Sequence, residues 1–348
     1  MKVLVVDDSA LVRTAVSNLL VEEGFEVITA KNGKDAIEKT LKHNPDVILL
    51  DVNMPVMDGL TALKEIMNKK PTPVIMFSAY TKKGAEETIT ALKLGAVDFI
   101  PKPDSTLFDI ADIKKEIIGK IKAISRASPN LIRLRNLKDI SKGVIRAKWK
   151  EKEKDVAVLI GSSTGGPSAL EMIIPRLPGD LPAPVFVVQH MPPNFTKQLA
   201  ERLNSISEIK VKEAENNEKV RDGVVYIAPG GYHLGVRRAL NVVRIKIIDG
   251  EPVNGVKPSV DVTAKYLAKV YGGDVIGVIL TGMGEDGAVG LKEIRDLGGY
   301  VIACSEDTSV VFGMPKAAIE IGAASIVKPL HEIAEEIIKQ LEVKLYGG

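Results

Sequence analysis

The sequence predicts an α/β protein of two doubly wound parallel-sheet modules, and three observations carry that expectation. Short apolar runs alternate with helically spaced segments from the N-terminus to about residue 124. A basic stretch then interrupts the pattern, and a second alternation begins near residue 156. The chain has 348 residues, and at about 100–200 residues per domain that length favours two cores over one. The expected division is a first module at 1–124, a linker at 125–154 and a second module at 155–348.

In the first module, residues 2–6, 26–30, 46–50, 73–78 and 98–100 read as buried strands. Segments with helical spacing lie between them, such as Leu11, Ala15, Leu19 and Leu20. Repeated β-α units of this kind build an open parallel sheet with helices on both faces. The stretch SRASPNLIRLRNLKDISKGVIRAKWKEKEKD is basic and poor in strand signal, so it reads as an interdomain connector, with a docking surface as the alternative. Beyond it, strands are expected at 156–160, 185–189, 224–228, 274–280, 300–303 and 325–327. Segments 233–236 and 242–248 read as a hairpin. Helices are expected at 167–176, 194–204, 259–270, 288–297, 315–321 and 330–343.

Composition narrows the function classes. The hydrophobic fraction of 45% and charged fraction of 26% are those of ordinary globular proteins. A net charge of +2 makes no electrostatic case for a nucleic-acid partner. Cys304 is the single cysteine, so no intrachain disulfide can form, which suits a reducing compartment. The N-terminal apolar run meets Asp7 and Asp8 before a signal-peptide core can form. No apolar run approaches the roughly 20 residues that span a bilayer. A soluble, cytoplasmic chain without membrane insertion is expected.

Ligands of parallel sheets sit outside the carboxyl ends of the strands, so polar residues there deserve weight. Asp7 and Asp8 end the first strand and Asp51 the third. Like charges at that edge raise one another's pKa unless a cation intervenes, and Mg²⁺ with oxygen ligands is the natural one. Ser78 follows the fourth strand and Lys102 the fifth. A hydroxyl and an ammonium beside a metal-bound carboxylate make a site for a phosphoryl group, with Asp51 as nucleophile. Taken singly, these residues would read as helix-terminal acids and turn residues. Together, DD after strand one, DVNMPVMDG at strand three, SA after strand four and KP after strand five resemble the flavodoxin-like receiver domain of response regulators. The resemblance covers residues 1–122. It implies that a histidine kinase phosphorylates Asp51, with Mg²⁺ held by Asp8, Asp51 and the backbone carbonyl of Asn53, and with Asp7 in the same acidic set. It also makes Phe99 the switch aromatic.

In the second module, Gly161-Ser162-Ser163-Thr164-Gly165 fits G-x-S-x-G between a strand and a helix, a turn that presents a serine hydroxyl at the sheet edge. A phosphate-binding loop is the alternative, although Ser163 stands where G-x-G-x-x-G requires glycine. A plain tight turn is the third reading. A nucleophilic serine needs a base. His190 ends the strand PVFVVQ at the same sheet edge and is the best candidate; His233, in GGYHLGV, is the reserve. His43 belongs to the first module and His331 begins the last helix. For the acceptor on the imidazole, the loop TGMGEDGAVG offers Asp286, whose alternative role is a helix N-cap, and Glu285, more simply a solvated neighbour. The order Ser, His, Asp differs from the Ser, Asp, His order of the α/β-hydrolase superfamily, so this Rossmann-like module falls outside it.

With GSSTGGP, QHMPPNFT, APGGYH and TGMGEDGAVGL in order, residues 156–344 resemble the catalytic domain of the chemotaxis methylesterase family CheB. The resemblance implies a triad of Ser163, His190 and Asp286, with Thr164 and the backbone amide of Met283 assisting the oxyanion or His190. It further implies hydrolysis of glutamyl γ-methyl esters on methyl-accepting chemoreceptors, a second activity as glutamine deamidase, no cofactor for hydrolysis, and the kinase CheA as phosphodonor. Unphosphorylated, the first module is expected to cover the active-site edge of the second. A DNA-binding output would need a basic recognition helix, which the second module lacks; a non-catalytic adaptor would not need every triad position filled.

Overall fold

In the computed structural model, which describes residues 1–79, 81–102, 110–126 and 143–347, the chain divides into two compact units, residues 1–133 and 134–348. The first unit runs β1 (Lys2–Val6), α1 (Ala10–Glu22), β2 (Glu26–Ala30), α2 (Gly33–His43), β3 (Val47–Asp51), α3 (Gly59–Lys69), β4 (Val74–Ala79), α4 (Lys82–Leu94), β5 (Asp98–Lys102) and α5 (Ile110–Arg126). Its strands pair in parallel in the order β2-β1-β3-β4-β5, the flavodoxin-like arrangement expected from the sequence. The order reverses between β1 and β3, which places Asp7 and Asp51 at the switch point.

Local chemistry starts the helices where the loops need them to start. Ser9, Asn32, Asp58 and Thr81 each accept a hydrogen bond from a backbone N–H in the first turn of α1, α2, α3 and α4. Gly59 opens α3 so close to β3 that a Cβ there would lie 2.0 Å from the Asp51 carbonyl oxygen. β5 runs past its expected end at residue 100, because Pro101 and Lys102 stay in register with Ser78 and Ala79. Proline is tolerated there because β5 is an edge strand. Pro103 lies outside the described residues.

The second unit contains β6 (Ala157–Ser162), α6 (Gly166–Ile173), β7 (Val185–Gln189), α7 (Phe195–Ile206), β8 (Lys210–Glu213), β9 (Val224–Ile227), β10 (His233–Ala239) and β11 (Val242–Ile248). It continues with α8 (Val260–Tyr271), β12 (Val275–Ile279), α9 (Ala288–Asp296), β13 (Tyr300–Cys304), α10 (Met314–Glu320), β14 (Ile326–Lys328) and α11 (Ile333–Tyr346). The sheet is parallel in the order β14-β13-β12-β6-β7-β9-β8, and β10 and β11 form the expected antiparallel hairpin. β8 is a strand the sequence did not reveal. Its KVKE carries only Val211 as an apolar residue, and it is a strand through parallel pairing with β9 at the sheet edge.

Strands β6, β7 and β12 are buried along their whole length, as sheets covered on both faces require. One face, including Leu159, Phe186, Val188 and Ile279, packs with Leu267, Leu291 and Met314 from α8, α9 and α10. Residues 143–154 form neither helix nor strand but are strapped to this unit. Ile145 N donates to the Arg176 carbonyl, and the Tyr346 hydroxyl both accepts from Lys150 N and donates to its carbonyl. The part of the basic stretch at 127–142 lies outside the described residues. Among the described residues, no helix is long and apolar enough to cross a membrane.

Phe186 is fully buried and stacks on Tyr226 with ring centroids 5.8 Å apart. Phe186→Ala is expected to destabilise the second unit by about 3–5 kcal/mol. Urea unfolding of the full chain checks this; a loss under about 1 kcal/mol would mean that the site collapses around the cavity.

Candidate functional site

The first candidate site lies at the carboxyl ends of β1, β3 and β5. One carboxylate oxygen from each of Asp7, Asp8 and Asp51 falls within 4.8 Å of the others. The Lys102 ammonium sits 2.7 Å from Asp7 Oδ2 and 2.8 Å from Asp51 Oδ2. Burial pushes the Asp51 carboxyl up to about 6, and Lys102 offsets only part of that cost. An all-oxygen cluster that remains undercompensated with one ammonium nearby fits a hard divalent cation such as Mg²⁺. Arg13, which sequence reasoning missed, donates to the carbonyls of both Asp7 and Asp8 and so holds the loop that carries them. Its only signal was a cation one turn into α1.

Ser78 and Phe99 make contacts away from the acidic cluster, with α4 and α5. The Ser78 hydroxyl is buried and donates to the Gly84 carbonyl in the first turn of α4. Phe99 is buried, with the Lys120 ammonium donating to its carbonyl and lying 5.4 Å above its ring. The side chain of Asn53 reaches Glu87 instead, which leaves its backbone carbonyl as the group available to a metal.

The second candidate site lies at the carboxyl ends of β6, β7 and β12, where β6 is central and its neighbours flank it. Ser163 is the first residue past β6 and half-buried. Its amide donates to the Thr281 carbonyl, and its own carbonyl accepts from Gly166 N and Gln189 Nε2. Gly282 completes the turn from β12: a Cβ there would lie 2.8 Å from the Ser163 Cβ. Ser162 is excluded as the exposed nucleophile, being fully buried with its hydroxyl donating to Gln189 Oε1.

His190 follows β7, and its Nε2 lies 2.8 Å from Asp286 Oδ2. A carboxylate oxygen accepts, so Nε2 carries the proton and Nδ1 is left with its lone pair. Among the described residues, Ser163 Oγ is not hydrogen-bonded to His190; such bonds commonly tighten only when substrate is bound. Asp286 does not cap its own helix, since α9 has Gly287 at the N-cap with no side-chain bond. Instead it sits on the N-terminus of α8. Ser259 Oγ donates to Oδ1 at 2.6 Å and Val260 N to Oδ2 at 2.6 Å, and Asn254 Nδ2 reaches Oδ1 at 3.1 Å. Burial alone would raise the Asp286 carboxyl, but the bonds from His190, Ser259 and Val260 overcome it and hold the group below the usual carboxylate range.

His233 is not at hand as an alternative base, because both ring nitrogens are engaged, with the Glu251 carbonyl and with Ser259 N. Glu285 is exposed. The Thr164 carbonyl accepts from Thr281 Oγ1, which ties the β6 turn to the β12 loop. Met283 is exposed at the rim, and among the described residues its amide has no hydrogen-bond partner. Gln189, Asn254 and Ser259 went unnoticed in the sequence. Of these only Ser259 carried a signal, as a serine at a helix start.

Because the folded Asp51 carboxyl lies above its unfolded value of 3.8, its stabilising contribution is complete below about pH 4 and is lost as pH rises through 6. In metal-free full-length protein, Asp51→Asn should therefore raise stability at pH 8 by on the order of 1–3 kcal/mol, with the gain shrinking toward pH 4. Thermal unfolding in chelator measures this; a gain that does not vary with pH would contradict it.

Two family models match the chain: the response regulator receiver domain over residues 3–116 and the CheB methylesterase over residues 158–337. A protein of Archaeoglobus fulgidus named protein-glutamate methylesterase/protein-glutamine glutaminase is 68% identical over 346 residues, covering 99% of each chain. A protein of the same name from Pyrococcus horikoshii is 44% identical, covering 100% of this chain and 95% of the relative. The crystal structure of the CheB methylesterase catalytic domain of Thermotoga maritima is 51% identical, covers 54% of this chain and 99% of its own, and superposes with a TM-score of 0.53. The chain thus belongs to the CheB protein-glutamate methylesterase family and joins a receiver domain to a methylesterase domain.

Proposed function

We propose that this protein is a phosphorylation-activated hydrolase that removes methyl groups from glutamyl γ-methyl esters, and deamidates glutamines, on chemoreceptors during chemotactic adaptation. The observation that carries the reading is the 2.8 Å contact of His190 with Asp286, which follow the two strands, β7 and β12, that flank β6, the strand just before Ser163. With Nε2 committed to Asp286, Nδ1 is the base. Ser163 Oγ attacks the ester carbonyl carbon and its proton passes to Nδ1. The C–O bond breaks, methanol leaves with that proton, and water hydrolyses the glutamyl-serine ester by the reverse transfer. A glutamine carbonyl follows the same course with ammonia leaving. The Met283 amide would receive the developing oxyanion, with Thr164 assisting.

The receiver supplies the control. Asp7, Asp8, Asp51 and the Asn53 carbonyl would hold Mg²⁺, which neutralises charge during transfer of a phosphoryl group to Asp51 from a histidine kinase of the CheA type. Turning toward that group would take Ser78 Oγ from the Gly84 carbonyl and loosen the first turn of α4. Phe99, buried on β5 beside the strand that carries Ser78, is the aromatic that would relay the change.

Methanol release from methylated receptor membranes tests the reading. Ser163→Ala should lower the rate by a factor of about 10³ or more and Asp286→Asn by about 10²–10⁴, whereas Ser162→Ala should stay within about tenfold of wild type. Equal rates for wild type and Ser163→Ala would end the triad assignment. For the switch, acetyl phosphate with Mg²⁺ should raise activity in wild type and leave Asp51→Ala unchanged; the same stimulation in both would uncouple Asp51 from hydrolysis.

A further inference from the structure

His233 lies beside the hydrolytic site, is buried, and takes no part in the proton transfer described above. It occupies the start of β10, opposite Ile248 of β11. Its Nε2 is 2.9 Å from the Glu251 carbonyl, which can only accept, so Nε2 carries the proton. Nδ1 then presents a lone pair, and Ser259 N donates to it at 3.1 Å. Ser259 is the N-cap of α8, and its hydroxyl donates to Asp286 at 2.6 Å. The next amide, Val260 N, donates to the other oxygen of Asp286.

We infer that His233 is a positioning residue for hydrolysis: by accepting from Ser259 N it fixes the N-terminus of α8, and through it the carboxylate that orients His190. The inference rests on the hydrolase reading and deepens it. The hydrogen bonds run from the Glu251 carbonyl through His233, Ser259 and Asp286 to His190, and each partner has one workable donor-acceptor assignment. The Ser259 amide and the Cβ that carries its hydroxyl share one Cα, so a shift of the amide moves the anchor from which the hydroxyl reaches Asp286. Misplacing a catalytic partner by about 1 Å can cost up to 100-fold in rate, so a support one residue removed is expected to act on turnover.

The two nitrogens of His233 can be tested separately. In His233→Asn the side-chain oxygen can stand where Nδ1 stands and accept from Ser259 N. In His233→Gln the amide reaches the Nε2 position and restores only the bond to Glu251. The inference predicts that full-length His233→Asn keeps kcat for methanol release within about twofold of wild type, whereas His233→Gln and His233→Phe lose about tenfold, all with KM unchanged. A histidine that only fills the core would instead favour Gln, nearer in volume, and kcat would follow the change in Tm. Unchanged kcat in His233→Phe, or equal losses in Asn and Gln, overturns the inference. The His190 Nε2 proton, read by NMR in the same variants, should keep its wild-type resonance in Asn and lose it in Gln and Phe. That readout needs no ester substrate, so failure of the positioning role is distinguishable from failure of the hydrolase reading, which Ser163→Ala reports.

Discussion

The second unit turns on a buried negative charge that must be satisfied. Asp286 is withdrawn from water at the carboxyl end of the sheet, and burial of an unpaired carboxylate would cost several kcal/mol. The cost is met by Ser259, Val260 and Asn254 together with the imidazole of His190. The amino end of α8 therefore has to lie against the loop after β12. Once it does, a helix dipole and oriented amides stabilise the ionised form, and the carboxylate is left acceptor-only toward His190. The tautomer of His190, with the proton on Nε2 toward Asp286, follows from that one requirement.

The receiver unit treats its buried carboxylate in the opposite way. Asp51 has Lys102 and the amide of Val52 as partners, and Asp7 beside it adds a like charge. The result is a carboxyl held near neutrality rather than below the usual range. A saturated carboxylate serves orientation, because nothing is gained by changing it. An undercompensated one suits the acceptor role proposed for it, because a cation can still improve its surroundings. The two aspartates thus differ in role through their donors, not through their position, since both terminate a parallel strand or the loop after one.

Close backbone approach underlies both sites. Gly59 lets α3 begin against the Asp51 carbonyl, and Gly282 lets the loop after β12 pass against Ser163 and Met314. A side chain at either point would separate the segments that the chemistry needs together. Thr281 extends the same principle with hydrogen bonds, joining the Thr164 carbonyl to Val311.

Much of this was readable beforehand, for reasons tied to particular residues. Fully buried parallel strands must be unbroken apolar runs, so β6, β7 and β12 announced themselves. The residues just past them, Ser163, His190 and the loop with Asp286, were then confined to one edge, as were Asp7, Asp51 and Lys102. The edge strand β8 was not legible, because KVKE becomes a strand only by pairing with β9. Nor was the choice of partners. In sequence His233 reads as a reserve base, whereas the structure engages both of its nitrogens; and nothing in sequence shows that the Ser78 hydroxyl donates to the Gly84 carbonyl. Sequence by itself determined which strands exist and which polar residues stand at their carboxyl ends, since burial leaves a periodic record in the chain. Only the tertiary structure decided which donor meets which acceptor, because a hydrogen bond between residues such as Ser259 and Asp286 depends on Å-scale placement and leaves no pattern in sequence.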